Sequence, residues 1–209
     1  MASSQDAITL HNQTQSPLLR LPVEIRYMIW EHILGDKDFS LWTIDGKFLL
    51  TFRKPETNFW AGTKIRHHFA LTRVCRQTHA ETRFLPFLLN AISTTPPCLS
   101  VWLKRFNQAQ LSCIRTVTIY QCQLSFGQDV IHPHVRNALW AMRELTGLRK
   151  IHLHRDNKTY MGEDSSAQHK VALGAAVRSM VGQFERGHLI DIKITDEFVM
   201  VHGMWVYQL

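Results

Sequence analysis

Two pairs of alternate histidines have a spacing that could hold a metal ion in this chain of 209 residues. They are His132-Pro-His134 and His152-Leu-His154. Residues i and i+2 of a strand share a face, so His152 and His154 would point the same way. A zinc site needs a third ligand and usually a fourth group, and Asp191 is the one plausible third ligand. Because that set is too small, we interpret the histidines as polar residues of a sheet face and predict no metal and no cofactor.

The other reactive side chains form no recognised catalytic motif. The sequence lacks a phosphate loop, a Gly-x-Ser-x-Gly elbow, a His-Glu-x-x-His motif and a dinucleotide fingerprint. Cys75 lies one helical turn from His79, but we expect this cysteine on a buried face, where a thiol is inert. We therefore predict a protein that is not an enzyme.

The cysteines and the N-terminus indicate the compartment. No Cys-x-x-Cys pair occurs among Cys75, Cys98, Cys113 and Cys122. Residues 1–16 lack the basic start and apolar core of a secretory signal, and we interpret them as a flexible polar leader. No apolar run reaches the roughly 18 residues that a membrane span needs. We therefore expect free thiols in a reducing compartment, cytoplasmic or nuclear or both, and no membrane partner.

The positive charge is concentrated in one segment. The formal net charge is +7, and residues 61–115 carry eight basic residues and one acidic residue. This imbalance predicts an acidic partner or a solvated basic face. Aromatic residues alternate with the charges, which is also typical of nucleic-acid grooves, although no recognised reading motif accompanies them. Nucleic-acid binding is therefore the alternative function, and its candidate residues are Arg73, Arg76, Lys104 and Arg105.

Residues 18–35 predict a helix that is apolar on two sides. Pro22 suits a helix start, Glu24 suits the first turn, and Gly35 suits the end. One helical stripe contains Ile25, Met28, Ile29, His32 and Ile33, and a second contains Val23, Tyr27, Trp30 and Leu34. Such a helix is either wrapped by its own domain or completed by a partner, and wrapping is the commoner case.

The middle of the chain predicts a hairpin followed by helices. Asp45-Gly46 lies between two β-prone runs over residues 39–52, which indicates a two-residue turn. Residues 69–85 predict one helix that Pro86 kinks or ends, residues 94–97 a break, and residues 99–108 a short amphipathic helix.

The C-terminal half alternates strands and helices. Strands are predicted over residues 113–120, 149–154 and 189–195, with helices over 133–145 and 166–187, and a fourth strand is conceivable over 198–207. Each strand alternates apolar and polar residues, so helices should cover one face and leave the other open for a target. The target-facing candidates are Tyr120, His152, His154, Asp191 and Lys193. The predicted class is α/β or α+β: a helical region with a hairpin insertion, then a small, mainly parallel, repeat-like sheet with helices on one face.

Two segments carry a family resemblance. Leu21-Pro22-Val23-Glu24-Ile25-Arg26, with Ile29 and Trp30, resembles the opening of F-box domains, and residues 71–77 resemble a later helix of that motif. Together with residues 78–90 they are similar to a largely uncharacterised family of fungal F-box-like domains with two Glu-x-Arg motifs. Here those motifs are Glu24-Ile-Arg26 and Glu81-Thr-Arg83, and the match covers roughly the first 110 residues.

The resemblance implies a substrate receptor that docks a Skp-type adaptor of a cullin ubiquitin ligase. The implied docking residues are Leu21, Pro22, Ile25, Ile29, Trp30, Val74 and Cys75. This chain departs from a compact F-box in having about 36 residues, from Gly35 to Leu71, between the two matching segments. The implied regions are the leader (1–16), an F-box-like region (17–110) and a β-α-β-α-β layer (111–209) that is possibly continuous with it.

The Glu-x-Arg motifs also have a structural interpretation. If their two helices pack, Glu24 would pair with Arg83, and Glu81 would pair with Arg26. Such partly buried ion pairs fix the register of two elements more than they add stability. We favour this structural role over direct binding by the four residues.

Overall fold

A computed structural model describes residues 4–44, 47–53, 69–122, 133–155, 163–184 and 190–195. The described strands form one sheet in the order β2-β1-β3-β4-β5-β6, in which β2 is antiparallel to β1 and the other neighbours are parallel. The strands are β1 (Asp38–Ile44), β2 (Lys47–Arg53), β3 (Ala91–Thr94), β4 (Thr116–Cys122), β5 (Lys150–Arg155) and β6 (Asp191–Thr195). The helices are α1 (Ser4–Gln15), α2 (Val23–Leu34), α3 (Arg76–Thr82), α4 (Leu85–Leu89), α5 (Pro96–Leu103), α6 (Gln108–Leu111), α7 (Pro133–Ala141) and α8 (Glu163–Val181). The fold is therefore α/β, as predicted.

Helix α2 begins and ends close to the predicted residues. Pro22 is its N-cap residue, and the backbone N–H of Gly35 donates to the carbonyl of Glu31 at 2.8 Å. A Cβ atom on Gly35 would lie 2.6 Å from that carbonyl oxygen, so the close approach requires glycine. Helix α1 occupies most of the predicted leader, and an exposed ion pair joins its Asp6 to Arg76 of α3 at 3.7 Å.

The hairpin forms where the sequence predicts it. Strands β1 and β2 pair in antiparallel register, and Ile44 opposite Lys47 leaves a two-residue connection. The turn residues Asp45 and Gly46 lie outside the described part of the chain. Helix α2 leads into β1 through Asp36, which has a positive φ of 54°, a conformation that aspartate tolerates better than most residues.

Strand β3 was not predicted, and the helix expected over residues 69–85 is broken. Its first part is a 3-10 turn at Leu71–Arg73, after which Cys75 is extended and caps α3. Pro86 lies in the first turn of α4 instead of ending a helix. Strand β3 then pairs with β1 on one side and β4 on the other. One sheet therefore crosses the predicted boundary between residues 110 and 111.

The C-terminal half follows the predicted alternation of strands and helices. Its inward strand residues are buried at the core with α5, α7 and α8, and they include Val117, Ile119, Ile151 and Leu153. In α8 the side chains of Leu173 and Val177 are buried, and that of Val171 is 68% exposed. The strand suggested over residues 198–207 lies outside the described residues. No helix in the described ranges is long and apolar enough to cross a membrane.

Candidate functional site

An ion pair between the two Glu-x-Arg motifs holds α2 in place. The Arg26 guanidinium donates to both carboxylate oxygens of Glu81, through Nε at 3.0 Å and Nη2 at 2.7 Å. Its Nη1 donates to the carbonyl of Leu19 at 3.2 Å and to that of Leu21. Because both side chains are mostly buried, this bidentate pair fixes α2 against α3 and against the chain that precedes α2.

Two further side chains donate hydrogen bonds to the carboxylate of Glu81. The indole N–H of Trp30 donates to Oε2 at 3.0 Å, and the amide of Gln77 donates to Oε1 at 3.1 Å. The hydrogen bond from Arg26 is the main cause that lowers the pKa of Glu81 to about 2, and burial opposes it. The same bond is the main cause that raises the pKa of Arg26. We call Arg26, Glu81, Trp30 and Gln77 the clamp.

The second predicted ion pair does not form. Glu24 and Arg83 are both described and exposed, and no ion pair joins them. The guanidinium of Arg83 lies instead over the ring of Phe84, 4.6 Å from its centroid. The two motifs are therefore joined through the arginine of the first and the glutamate of the second.

An exposed apolar stripe runs along α2 beside the clamp residues Arg26 and Trp30. Ile25 and Ile33 are each 43% exposed, Met28 is 64% exposed, and Ile29 is half-buried. These residues and His32 have the i, i+3, i+4 spacing of one helix face. The expectation that the domain would wrap this side is wrong, because Trp30 and Leu34 of the other stripe enter the core instead. We call Ile25, Met28, Ile29 and Ile33 the α2 stripe.

The other predicted docking residues are distributed differently. Trp30 is 1% exposed and bonded to Glu81, so this residue belongs to the core and its placement on a docking surface is wrong. Pro22 and Val74 are exposed, and Leu21 is half-buried. Cys75 is half-buried, and its Sγ accepts the backbone N–H of Thr78 at 3.5 Å as the N-cap of α3. These positions leave the α2 stripe as the continuous apolar feature.

The polar sheet face is closed at its centre. Ser93 and Thr118 are buried there, and Tyr120 is 8% exposed, so the prediction of an open face is wrong at Tyr120. The hydroxyl of Tyr120 donates to Asp38 at 3.4 Å, and the carboxylate of Asp38 also accepts the hydroxyl of Ser93. The tyrosine therefore acts within a polar network of the sheet.

The same face becomes accessible toward β6. Asp191 and Lys193 are exposed, and His152 and His154 are half-buried. His154 packs against Tyr120 with ring centroids 4.8 Å apart, and its Nδ1 lies 3.0 Å from the hydroxyl of Thr195. Four of the predicted target-facing residues thus divide into two stacked rings, the buried Tyr120 and the half-buried His154, and two exposed charges, Asp191 and Lys193.

His152 lies between these two parts. Its pKa is lowered, first by burial, then by the positive charges of Lys193 and Lys150; the negative charges of Asp191 and Asp38 oppose this. The potential around this ring is therefore positive. The metal alternative finds no support here, since no three histidine, cysteine, aspartate or glutamate side chains converge within the described ranges.

The four residues of the predicted basic patch are exposed, and two aromatic rings beside Lys104 and Arg105 pack together. Arg73, Arg76, Lys104 and Arg105 all reach solvent. The neighbouring aromatic ring of Trp102 is 6% exposed and lies 4.0 Å from the ring of Phe106. These rings belong to the core, so the aromatic half of the nucleic-acid pattern serves packing.

The chain matches no family model, no curated protein and no solved structure. The resemblance to the F-box-like family therefore stays a prediction. What the structure defines is the class of fold, an α/β sheet with an apolar helix face left exposed at one end.

Some residues of these sites were not singled out as site residues from the sequence. Met28 and Ile33 were recognised on one helical stripe, but periodicity does not show which of two apolar stripes is buried. Asp38 lies far along the chain from Ser93 and Tyr120, and no local pattern predicts those contacts. Gln77 lies one helical turn before Glu81, so its i, i+4 spacing on α3 was a usable signal. Lys150 had a usable signal, because it shares the alternation of His152 and His154 on β5.

Proposed function

We propose that this chain is a non-enzymatic interaction module whose α2 stripe docks a Skp-type adaptor of a cullin ubiquitin ligase. The observation that carries the proposal is the exposure of Ile25, Met28 and Ile33 on a helix that the Arg26–Glu81 ion pair holds in place. The resemblance of residues 21–30 to an F-box opening supports an adaptor as the partner of this helix. Such a receptor would work in the cytoplasm or the nucleus.

The energetics favour a helix-in-groove contact. An amphipathic helix that docks in a groove presents apolar anchors at i, i+3, i+4 and i+7 or i+8, which is the spacing of the α2 stripe. Full burial of one isoleucine or methionine side chain contributes about 1.5–3 kcal/mol. Because the clamp already fixes α2, docking would not have to order the helix as well.

The sharpest variant is Met28→Asp. Met28 is the most exposed member of the α2 stripe, so its replacement should change the free energy of unfolding by less than about 0.5 kcal/mol. Ile29→Asp is less suitable, because Ile29 packs against the Trp30 cluster and its loss would also destabilise the fold. A matched control is Val171→Asp on α8, which replaces another exposed apolar side chain.

The test is a calorimetric titration of a purified Skp-type adaptor with the wild type and both variants. We expect saturable 1:1 binding by the wild type and by Val171→Asp, and at least a tenfold loss in Met28→Asp. Absence of binding by folded, monodisperse wild type would overturn the proposal. So would a wild-type dimer that Met28→Asp converts to monomers, because the α2 stripe would then bind a second copy of this chain.

A further inference from the structure

Three basic side chains share the accessible part of the polar sheet face. Lys150 and His152 alternate along β5, and Lys193 lies opposite His152 on β6. Their neighbours Ile151 and Leu153 point to the core, so the three basic side chains point to the other face. Alternate residues on a strand are about 7 Å apart and adjacent strands about 4.8 Å apart, so the three form one small patch. We call Lys150, His152 and Lys193 the cationic patch.

The two lysines are available to a ligand. Both are exposed, and neither forms an ion pair with a carboxylate of the described residues. Asp191 lies opposite Lys150 in register and is the acidic neighbour on the same face. Asp38, which also acts on His152, already accepts a hydroxyl from Ser93 and one from Tyr120. Asp38 keeps its negative charge but lies on β1, three strands away from β5. On β5 and β6 the two lysines therefore exceed the one aspartate of this face by one positive charge.

The spacing of the cationic patch matches an extended acidic peptide. Side chains of an extended chain repeat on one face about every 7 Å, which is also the separation of Lys150 from His152 along β5. A peptide with two acidic residues at alternate positions would therefore contact Lys150 with one acidic side chain. The second acidic side chain would contact Lys193 and His152. The ammonium groups of the two lysines donate charge-assisted hydrogen bonds to such anionic oxygens, and a neutral imidazole ring also has one N–H to donate.

We propose that the cationic patch binds an extended acidic segment of a protein target, with anionic side chains at alternate positions. Calling that protein a ligase target rests on the proposed function, whereas the peptide binding itself needs no adaptor. Carboxylate and phosphoryl oxygens share the required chemistry, so aspartate and phosphoserine peptides are the two sources that the test separates.

The test is fluorescence anisotropy of labelled peptides with the full chain at low salt. An Asp-x-Asp peptide should bind and weaken with salt, and an Asn-x-Asn peptide of the same length should not bind. Lys193→Gln should weaken binding at least tenfold, whereas Lys104→Gln, which removes the exposed C-cap lysine of α5, should leave it unchanged. A phosphoserine-x-Asp peptide that binds more tightly than Asp-x-Asp would identify the phosphoryl group as the preferred source.

A gain of affinity separates binding from a structural role. Asp191→Asn removes the acidic neighbour of the cationic patch and should tighten the Asp-x-Asp complex severalfold, which loss of structure would not do. Equal binding of both peptides, or equal losses in Lys193→Gln and Lys104→Gln, would overturn the inference. Tighter binding of a single-stranded oligonucleotide at the same patch would also overturn it. Peptide binding without adaptor binding would reject the proposed function alone, and adaptor binding without peptide binding would reject this inference alone.

Discussion

Replacement of Glu81 by glutamine should reveal how strongly the clamp holds α2. Glutamine keeps nearly the same shape but removes the negative charge that pairs with Arg26. The shift of the Glu81 pKa from 4.5 to about 2 corresponds to roughly 3 kcal/mol of stabilisation. About a fifth of this side chain is exposed, so we expect a loss of about 2–3 kcal/mol in the free energy of unfolding.

The effect of Glu81→Gln on the free energy of unfolding should depend on pH in a definite direction. The pKa of Glu81 is lower in the folded protein than in the unfolded chain, so its charge stabilises the fold above about pH 4.5. That contribution is lost as the pH falls from about 4.5 toward 2. The difference between wild type and Glu81→Gln should therefore be full at pH 7 and smaller at pH 3.5.

The assay is urea unfolding followed by tryptophan fluorescence and circular dichroism. Glu24→Gln is the matched control, because it removes the exposed glutamate of the other motif, and it should change the free energy of unfolding by less than about 0.5 kcal/mol. The reasoning fails if Glu81→Gln behaves like Glu24→Gln, or if its deficit is the same at pH 3.5 and pH 7.

Three further predictions concern the clamp, α1 and His152. Trp30→Phe keeps an aromatic ring but removes the N–H donor to Glu81, and should lower the free energy of unfolding by about 2 kcal/mol in the urea assay. Asp6→Asn should leave the unfolding midpoint unchanged, because the ion pair between Asp6 and Arg76 is about 60% exposed on both sides; a clear shift would show that α1 is more firmly held. Acidification from pH 7.5 to 5.5 should tighten the Asp-x-Asp complex, because the bound anion would raise the pKa of His152 and favour its protonated form. If a His152→Gln variant showed the same pH profile, this prediction would be contradicted.

Local signals predicted much of the sheet. Asp45-Gly46 between two β-prone runs was sufficient for the hairpin, because a two-residue turn specifies its own register. The alternation of β5 and β6 identified their two faces correctly. Strand β3 was not predicted from the sequence, because it has only four residues and two of them are Ser93 and Thr94. Its extended conformation is stabilised by pairing with β1 and β4, which are parallel neighbours from other parts of the chain.

The orientation of α2 could not be predicted from periodicity. Both of its stripes are apolar, and in the second stripe Trp30 and Leu34 are buried whereas Val23 and Tyr27 are exposed. The contacts of Arg26 and Trp30 with Glu81, more than fifty residues away, select the side that is buried. The sequence did suggest that pairing through the Glu-x-Arg motifs, but it equally suggested a pair between Glu24 and Arg83. Long-range packing decides between the two, and with it which side of α2 is left for a partner.

The account depends most on whether an adaptor covers the α2 stripe, and oxidative footprinting measures this directly. Met28 is 64% exposed and oxidisable, and Trp140, which is 44% exposed on α7, serves as an internal reference. We predict that Met28 is oxidised readily in the isolated chain and is protected by a saturating Skp-type adaptor, while oxidation of Trp140 is unchanged. Equal oxidation of Met28 with and without the adaptor would contradict the proposed docking face.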